Sequence, residues 1–460
     1  MLTRDYDTPL YNQYYANNFR IIPNIGVDFL MAGIGRIVDP ALGLRLLLAG
    51  TICFASYGYA KLSRLRNNGD WHPALIILPV TLFSFSFVLG FLNFVLASSM
   101  LPYAIYLYEK YERRGARMVI ILTSVLILFF CHMMVAVLLL LIIFSKLIAA
   151  QKSKERMIGI ATVVGSLVLL TVLYKLSSVS EEHSVVILST VAEKFKFFFS
   201  SLAFGPWWAI TNGLSFLALG ILFYFGYPAL EKSDRILLLT LFIFYILCPE
   251  GFKLSGNFDG RVPPLIFSFI LATSKLKSYH VGNRLKLLTY GLFVVLVVNL
   301  VSLFVVVRRS DVEAHKMRDI LKKYVPTGDA LFIADISQWR AMHRSNWYPA
   351  YKMMPFYTAM DRPLFISGIF TFPSQQPIIL KQGFEKLGFA TRSYKPTEPV
   401  DSQVKISLSD LHSRLDLLKA SGVKQSWVFF VNYESTGYAG VEVPGTVYQD
   451  KNYLLAHLDN

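Results

Sequence analysis

The sequence predicts an α-helical polytopic membrane protein of about ten transmembrane helices, with a small C-terminal α/β domain outside the cytoplasm. Three observations predict it. Of 460 residues, 54% are hydrophobic and only 16% charged, where soluble domains carry roughly a quarter charged residues; the mean hydropathy is +0.47. Apolar runs close to the length of a membrane helix recur through the first two thirds. The cations between those runs alternate in density, as they do between the two sides of a membrane. The chain therefore divides into an external segment (1–40) with an amphipathic helix, a transmembrane domain (41–307) and a periplasmic α/β domain (308–460).

The runs that read as spans are 42–59, 74–89, 90–108, 118–131, 133–148, 157–173, 207–227, 236–248, 262–274 and 287–307. Placing Lys61, Arg64 and Arg66 in the cytoplasm puts four further basic loops on the same side. They carry Lys110/Arg113/Arg114/Arg117, Lys146/Lys152/Lys154/Arg156, Lys232/Arg235 and Lys275/Lys277/Arg284/Lys286. Seventeen of the 26 cations in residues 1–307 then face the cytoplasm. Residues 118–148 read either as one long span or as two short ones turning near His132, and only the turn preserves the alternation.

In this topology both ends lie outside. Residues 1–40 read as the closing half of an external loop whose preceding helix is absent, so an open groove is expected beside 42–59. Residues 23–37 form an amphipathic pattern, with Ile25, Phe29, Leu30, Ile34 and Ile37 at helical spacing. Residues 184–199 form a second, with Glu193, Lys194 and Lys196 opposite Val185, Leu188, Val191 and Phe195. Cys53, Cys131 and Cys248 are far apart and read as packing residues without a disulfide framework or metal spacing. The formal charge of +15 resides mostly in the loops between apolar runs, which speaks against nucleic acid as a partner.

From Arg308 the composition becomes that of an ordinary α/β domain. The pattern predicts a charged helix over 312–324, a turn at Pro326–Gly328 and strands at 330–334 and 427–431. It also predicts a helix over 411–420 and a terminal hairpin over 447–458. No phosphate-binding glycine loop, nucleophile elbow or zinc motif is present.

Ionisable and amide side chains at membrane depth are the candidates for chemistry. His132 stands between apolar flanks, as a ligand at the mouth of the bundle or as a polar residue hydrogen-bonded at a turn. Asp259 and Arg261 form an Asp-Gly-Arg triplet in an external loop, where the arginine either binds a lipid phosphate or braces the loop with the aspartate. Asn93 begins a span and reads as an interhelical hydrogen bond or a substrate contact. Asp5, Asp7 and Asp28 are the external acids that a general base would come from. Trp207-Trp208 reads as an interfacial anchor or part of a lipid-chain groove. No metal site or cofactor is legible.

Several of these segments together carry a resemblance. They are Tyr14-Tyr15, Pro23-Asn24 and Asp28 at the entry, Gly90-Phe-Leu-Asn-Phe94, and Phe129-Phe-Cys-His132. Asp259-Gly-Arg261 and Phe370-Thr371 with Gln375-Gln-Pro377 complete the set. The chain resembles a group of bacterial polytopic proteins whose architecture is similar to that of GT-C glycosyltransferases. The resemblance implies a bacterial inner-membrane enzyme using a polyprenyl-phosphate-linked sugar on the periplasmic face. A carboxylate in the first external loop would deprotonate the acceptor, and cations would hold the departing lipid phosphate. The Asp-Tyr-Pro-Asn-His-like stretch of related members is not present, so the resemblance designates no catalytic acid, and the chain reads as an active enzyme or an inactive remnant. The other classes are a non-enzymatic protein assisting envelope polysaccharide assembly and a transporter; the lack of an internal repeat speaks against the latter.

Overall fold

In hydrocarbon every backbone polar group must be bonded within the protein, so long apolar runs have to become helices. A computed structural model describes residues 15–17, 22–67, 69, 73–84, 92–149, 153–177, 186–202, 208–226, 230–252, 259–273, 283–335, 365–366, 378–380, 409, 425–431, 443–450 and 453–458. The chain forms two compact units, residues 20–303 and residues 1–19 with 304–460.

The first unit contains α1 (Gly26–Ile34), α2 (Pro40–Arg66), α3 (Leu78–Leu82), α4 (Leu92–Lys110), α5 (Arg114–Ala149) and α6 (Ser153–Leu176). It continues with α7 (Val191–Ser200), α8 (Trp208–Gly226), α9 (Lys232–Leu247), α10 (Val262–Thr273) and the beginning of α11 (Asn283–Tyr324). Among the described residues, Leu42–Arg66, Arg114–Ala149 and Arg156–Leu176 are long and apolar enough to cross a membrane, and Ala209–Tyr224 and Thr289–Val305 are shorter apolar helices. On α6, Val164, Val168 and Val172 repeat every fourth residue and all are exposed, the stripe a lipid-facing helix presents.

Three expectations are corrected. Residues 73–84 form no spanning helix but a 3₁₀ turn (Pro73–Ile77) and the five-residue α3. Pro73 and Pro79 break up the run, and its apolar residues serve burial instead: Ile77, Leu78 and Val80 join the core. Residues 312–324 are not a separate helix but the end of α11, in which no glycine or proline interrupts 292–324. The second amphipathic segment becomes helical only at Val191, where Thr190 and Glu193 form a reciprocal capping box. Before it, β2 (Val186–Ile187) pairs antiparallel with β3 (Gly251–Phe252).

The turn near His132 is present inside α5. His132 is extended, with φ −167° and ψ 110°. Arg117 donates to the carbonyls of Tyr108 and Tyr111, and Lys146 lies 2.5 Å from the carboxylate of the adjacent Glu109. A straight helix would separate Arg117 and Lys146 by about 43 Å; both reach one end of α4 because α5 folds back at His132.

That end carries a charge network. Arg66 bonds Glu109 at 2.7 Å, Glu231 at 2.9 Å and Asp234 at 3.1 Å, and Lys146 bonds Glu109 and Asp234. The ends of α2, α4, α5 and α9 are thereby tied together. Among the described residues, the basic segments 61–66, 110–117, 146–149 and 232–235 therefore share one end of the bundle, as the cation alternation groups them, while residues 150–152 and 274–282 lie outside the described residues.

In the second unit a mixed sheet runs β5-β4-β7-β9-β8, built from β4 (Ala330–Asp335), β5 (Phe365–Ile366), β7 (Ser426–Val431), β8 (Thr446–Gln449) and β9 (Tyr453–Leu458). β4 is parallel to β5 and β7; β9 is antiparallel to β7 and β8. Met317, Leu321 and Val325 from the end of α11 pack on Leu331, Phe429 and Leu455, and Gly328, at φ +94°, supplies the left-handed turn into β4. A separate pair joins β1 (Tyr15–Asn17) to β6 (Ile378–Leu380). The strands expected at 330–334 and 427–431 and the terminal hairpin are present. The helix expected at 411–420 and residues 370–377 lie outside the described residues.

Arg66→Met leaves Glu109, Glu231 and Asp234 without their shared cation and is expected to destabilise the protein by about 3–5 kcal/mol. A thermal melt of the detergent-solubilised protein checks this. An unchanged midpoint would mean that the network does not clamp the helix ends.

Candidate functional site

Breaking α5 at His132 exposes backbone groups that hydrocarbon cannot satisfy, and the segment before α1 satisfies them. Ile25 donates its N–H to the Phe130 carbonyl at 2.8 Å. The Met133 N–H donates to Asn24 Oδ1 at 3.2 Å. Asn24 holds a left-handed conformation, φ 69°, which asparagine tolerates better than most residues. Gly26 is required by the close approach: a Cβ there would lie 2.7 Å from Cys131 Sγ and 3.0 Å from Cys131 Cα.

Asn93, at the start of α4, then caps α1. Its Oδ1 accepts from the Val27 N–H at 2.7 Å, which turns its Nδ2 toward Asp28 Oδ2 at 3.4 Å. The interhelical reading of Asn93 is thus the one the geometry displays, and it couples Asn93 to a candidate acid. Burial raises the Asp28 carboxyl, opposed by the Asn93 hydrogen bond; a raised carboxyl is a stronger base when ionised.

Next to Asn93, the Phe94 ring meets His132 edge-on at 5.2 Å and lies 5.7 Å from the Arg261 guanidinium. Arg261 Nη1 stands 2.8 Å from His132 Nε2. A guanidinium only donates, so Nε2 accepts and the imidazole proton belongs on Nδ1. Both side chains are buried. His132 and Arg261 therefore meet at the Phe94 ring, and Asn93, the chain neighbour of Phe94, bonds Val27 and Asp28. Beneath Arg261 a cavity of about 40 Å³ is lined by Tyr59, Thr81, Ser98, Ser99 and Ser268 among others. It has room for roughly two or three waters.

Asp259 belongs to a different set of bonds. Its Oδ1 accepts from the Gly260 N–H at 2.8 Å, and its Oδ2 accepts from the Ser189 hydroxyl at 3.2 Å and lies 3.5 Å from Lys194 Nζ. Burial raises the Asp259 carboxyl while Lys194 opposes the shift. Lys194 itself donates to the carbonyls of Tyr245 and Cys248 at the end of α9. Phe197 covers Gly260 so closely that a Cβ there would lie 2.3 Å from the ring. Helix α7 is therefore pinned on the Asp-Gly-Arg turn.

The fold that carries this arrangement has a known counterpart. No family model and no curated protein matches the sequence. The crystal structure of ArnT from Cupriavidus metallidurans in the apo state is similar over 95% of this chain and 88% of that one, with a TM-score of 0.50 and 12% sequence identity. The chain is a membrane protein of GT-C-like fold. At that identity the likeness concerns the fold alone.

Sequence reasoning placed Lys194 on the polar face of an amphipathic helix, opposite Val191 and Phe195. The structure inverts this: Lys194 is 3% exposed, while Leu188, Val191, Phe195 and Phe199 are exposed. A helix with lipid on one side and protein on the other turns its apolar residues outward and buries its cation where carbonyls receive it. The signal that could have found Lys194 is its place beside the Asp-Gly-Arg loop in the predicted topology, not its helical phase. Asp5, Asp7 and Trp207 lie outside the described residues, as does the Trp208 side chain. Among the described residues no three His, Cys, Asp or Glu side chains gather as metal ligands.

Asn24→Ala removes the acceptor from the Met133 amide and the tolerance for positive φ. It is expected to cost about 1–3 kcal/mol, read as a lower melting temperature, whereas Asn67→Ala, at a half-buried helix end where the side chain bonds back to Ser63 within its own last turn, should cost less. Equal effects would detach Asn24 from the α5 break.

Proposed function

We propose that this chain is a GT-C-like glycosyltransferase of the bacterial inner membrane, moving a sugar from a polyprenyl-phosphate carrier to a cell-envelope acceptor on the periplasmic face. The observation that carries the reading is the buried Arg261, placed by the Asp-Gly-Arg turn against His132 and Phe94, with Asp28 bonded to Asn93, the chain neighbour of Phe94. The ArnT-like fold supports the same class.

In this reading the acceptor hydroxyl oxygen attacks the anomeric carbon, the bond from that carbon to the phosphate oxygen breaks, and Asp28 takes the hydroxyl proton. The electron pair leaves with the polyprenyl phosphate, whose growing negative charge Arg261 stabilises by charge-assisted hydrogen bonds. Asn93 orients Asp28, and Lys194 holds the turn that presents Arg261.

The test uses purified protein in lipid nanodiscs with undecaprenyl phosphate as the ligand and undecaprenyl-phosphate-linked sugars as donors. Arg261→Ala is expected to weaken undecaprenyl phosphate binding at least ten-fold with little change in melting temperature. Asp28→Asn is expected to lower transfer 10²-fold or more while retaining that binding, the size of a lost general base. A destabilised Arg261→Ala protein with unchanged lipid affinity would make Arg261 a brace and overturn the assignment.

A further inference from the structure

The charge network at the far end of α4 forms the back wall of a second cavity, of about 370 Å³. Its volume falls in the range of small-molecule sites, unlike the narrow space beneath Arg261. Arg66 and Lys146 in its wall are held by Glu109 and Asp234. Arg114 and Arg117, at the start of α5, are not: among the described residues no carboxylate lies within ion-pair distance of either. Arg117 is nevertheless fixed. Its Nε donates to the carbonyls of Tyr108 and Tyr111, and its guanidinium stacks 5.2 Å from the Tyr108 ring, which leaves its terminal nitrogens as donors. The lining also includes the apolar Leu65, Ile121 and Leu147, and Met118 and Ile158 continue it to an exposed surface of the helix bundle.

We propose that this cavity binds the head group of an anionic glycerophospholipid. The phosphodiester accepts from Arg114 and Arg117, and an acyl chain leaves along Met118 and Ile158. A soluble phosphate would use the cations but not the apolar wall, and a zwitterionic lipid would bring an ammonium group into a pocket already rich in cations. The site lies at the end of the bundle where the basic loops gather, the depth at which membrane phosphates are found. Bound there, the lipid would join α4, α5 and α6 through a ligand from the bilayer. The proposal rests on the membrane fold and not on the glycosyltransferase reading.

The experiment is a thermal-stability titration of the full chain in detergent with phosphatidylglycerol, phosphatidylcholine or inorganic phosphate. Phosphatidylglycerol is expected to raise the melting midpoint saturably, and the other two are not. Arg114→Gln, at an exposed residue without described bonds, should raise the half-saturating lipid concentration about three-fold or more. Arg114→Gln with Arg117→Gln should raise it at least ten-fold. The single variant decides the matter if the double variant does not fold. Equal stabilisation by phosphatidylcholine, an equal effect of inorganic phosphate, or an unchanged response of Arg114→Gln would each overturn the proposal.

Discussion

The one constraint on which the helical unit depends is the satisfaction of the backbone at the His132 break. An unpaired peptide group in hydrocarbon costs several kcal/mol, so α5 can fold back only if something supplies a donor to the Phe130 carbonyl and an acceptor to the Met133 amide. Ile25 and Asn24 supply both. The same two residues therefore fix where α1 begins, and the first turn of α1 fixes Asn93 and Asp28. The break also orients the His132 side chain toward Arg261. A single extended residue in a long helix thus sets the placement of three of the candidate site residues.

The bundle separates its charges by purpose along α4. The helix has 19 residues from Leu92 to Lys110, about 28 Å, close to the ~30 Å of a bilayer core. At one end, Arg66, Glu109, Lys146 and Asp234 form a closed network in which most charges have more than one partner. Such a network does little for net stability but specifies which helix ends meet. At the other end, Arg261 bonds the His132 imidazole and faces the Phe94 ring.

The helical class and the turn at His132 were legible because their signals are additive over many residues. Apolar runs gave the helices, and the two sides of the cation count demanded a reversal between Arg117 and Lys146. The 74–89 run failed because apolar composition reports burial and does not distinguish a spanning helix from short buried turns; Pro73 and Pro79 were the warning. Lys194 failed for a related reason. Helical phase correctly separated its polar face from Val191 and Phe195, but the usual rule that the apolar face turns inward reverses beside lipid. Asn24 entered only through the Pro23-Asn24 element of the resemblance, which is silent on its role, since that role depends on the distant Met133 amide, and a cap across more than a hundred residues has no local pattern.

The Asp-Gly-Arg triplet offered two sequence-level readings, a brace and a phosphate ligand, and the geometry divides them between its two charged residues. The described bonds of Asp259 run to Ser189, Lys194 and the Gly260 amide, on the side of α7 and the end of α9. Those of Arg261 run to His132 and Phe94, on the side of α4 and α5. Gly260 permits this divergence, because any side chain there would strike Phe197 and lift α7 from the turn. Asp259 thus anchors the loop while Arg261 extends from it into the bundle. In the proposed reaction a phosphate oxygen replaces His132 Nε2 as the acceptor, so the guanidinium faces an anion in place of a neutral ring nitrogen. Ligand binding would then release the imidazole at the point where α5 turns, so occupancy of Arg261 and the geometry of the break are coupled through one hydrogen bond.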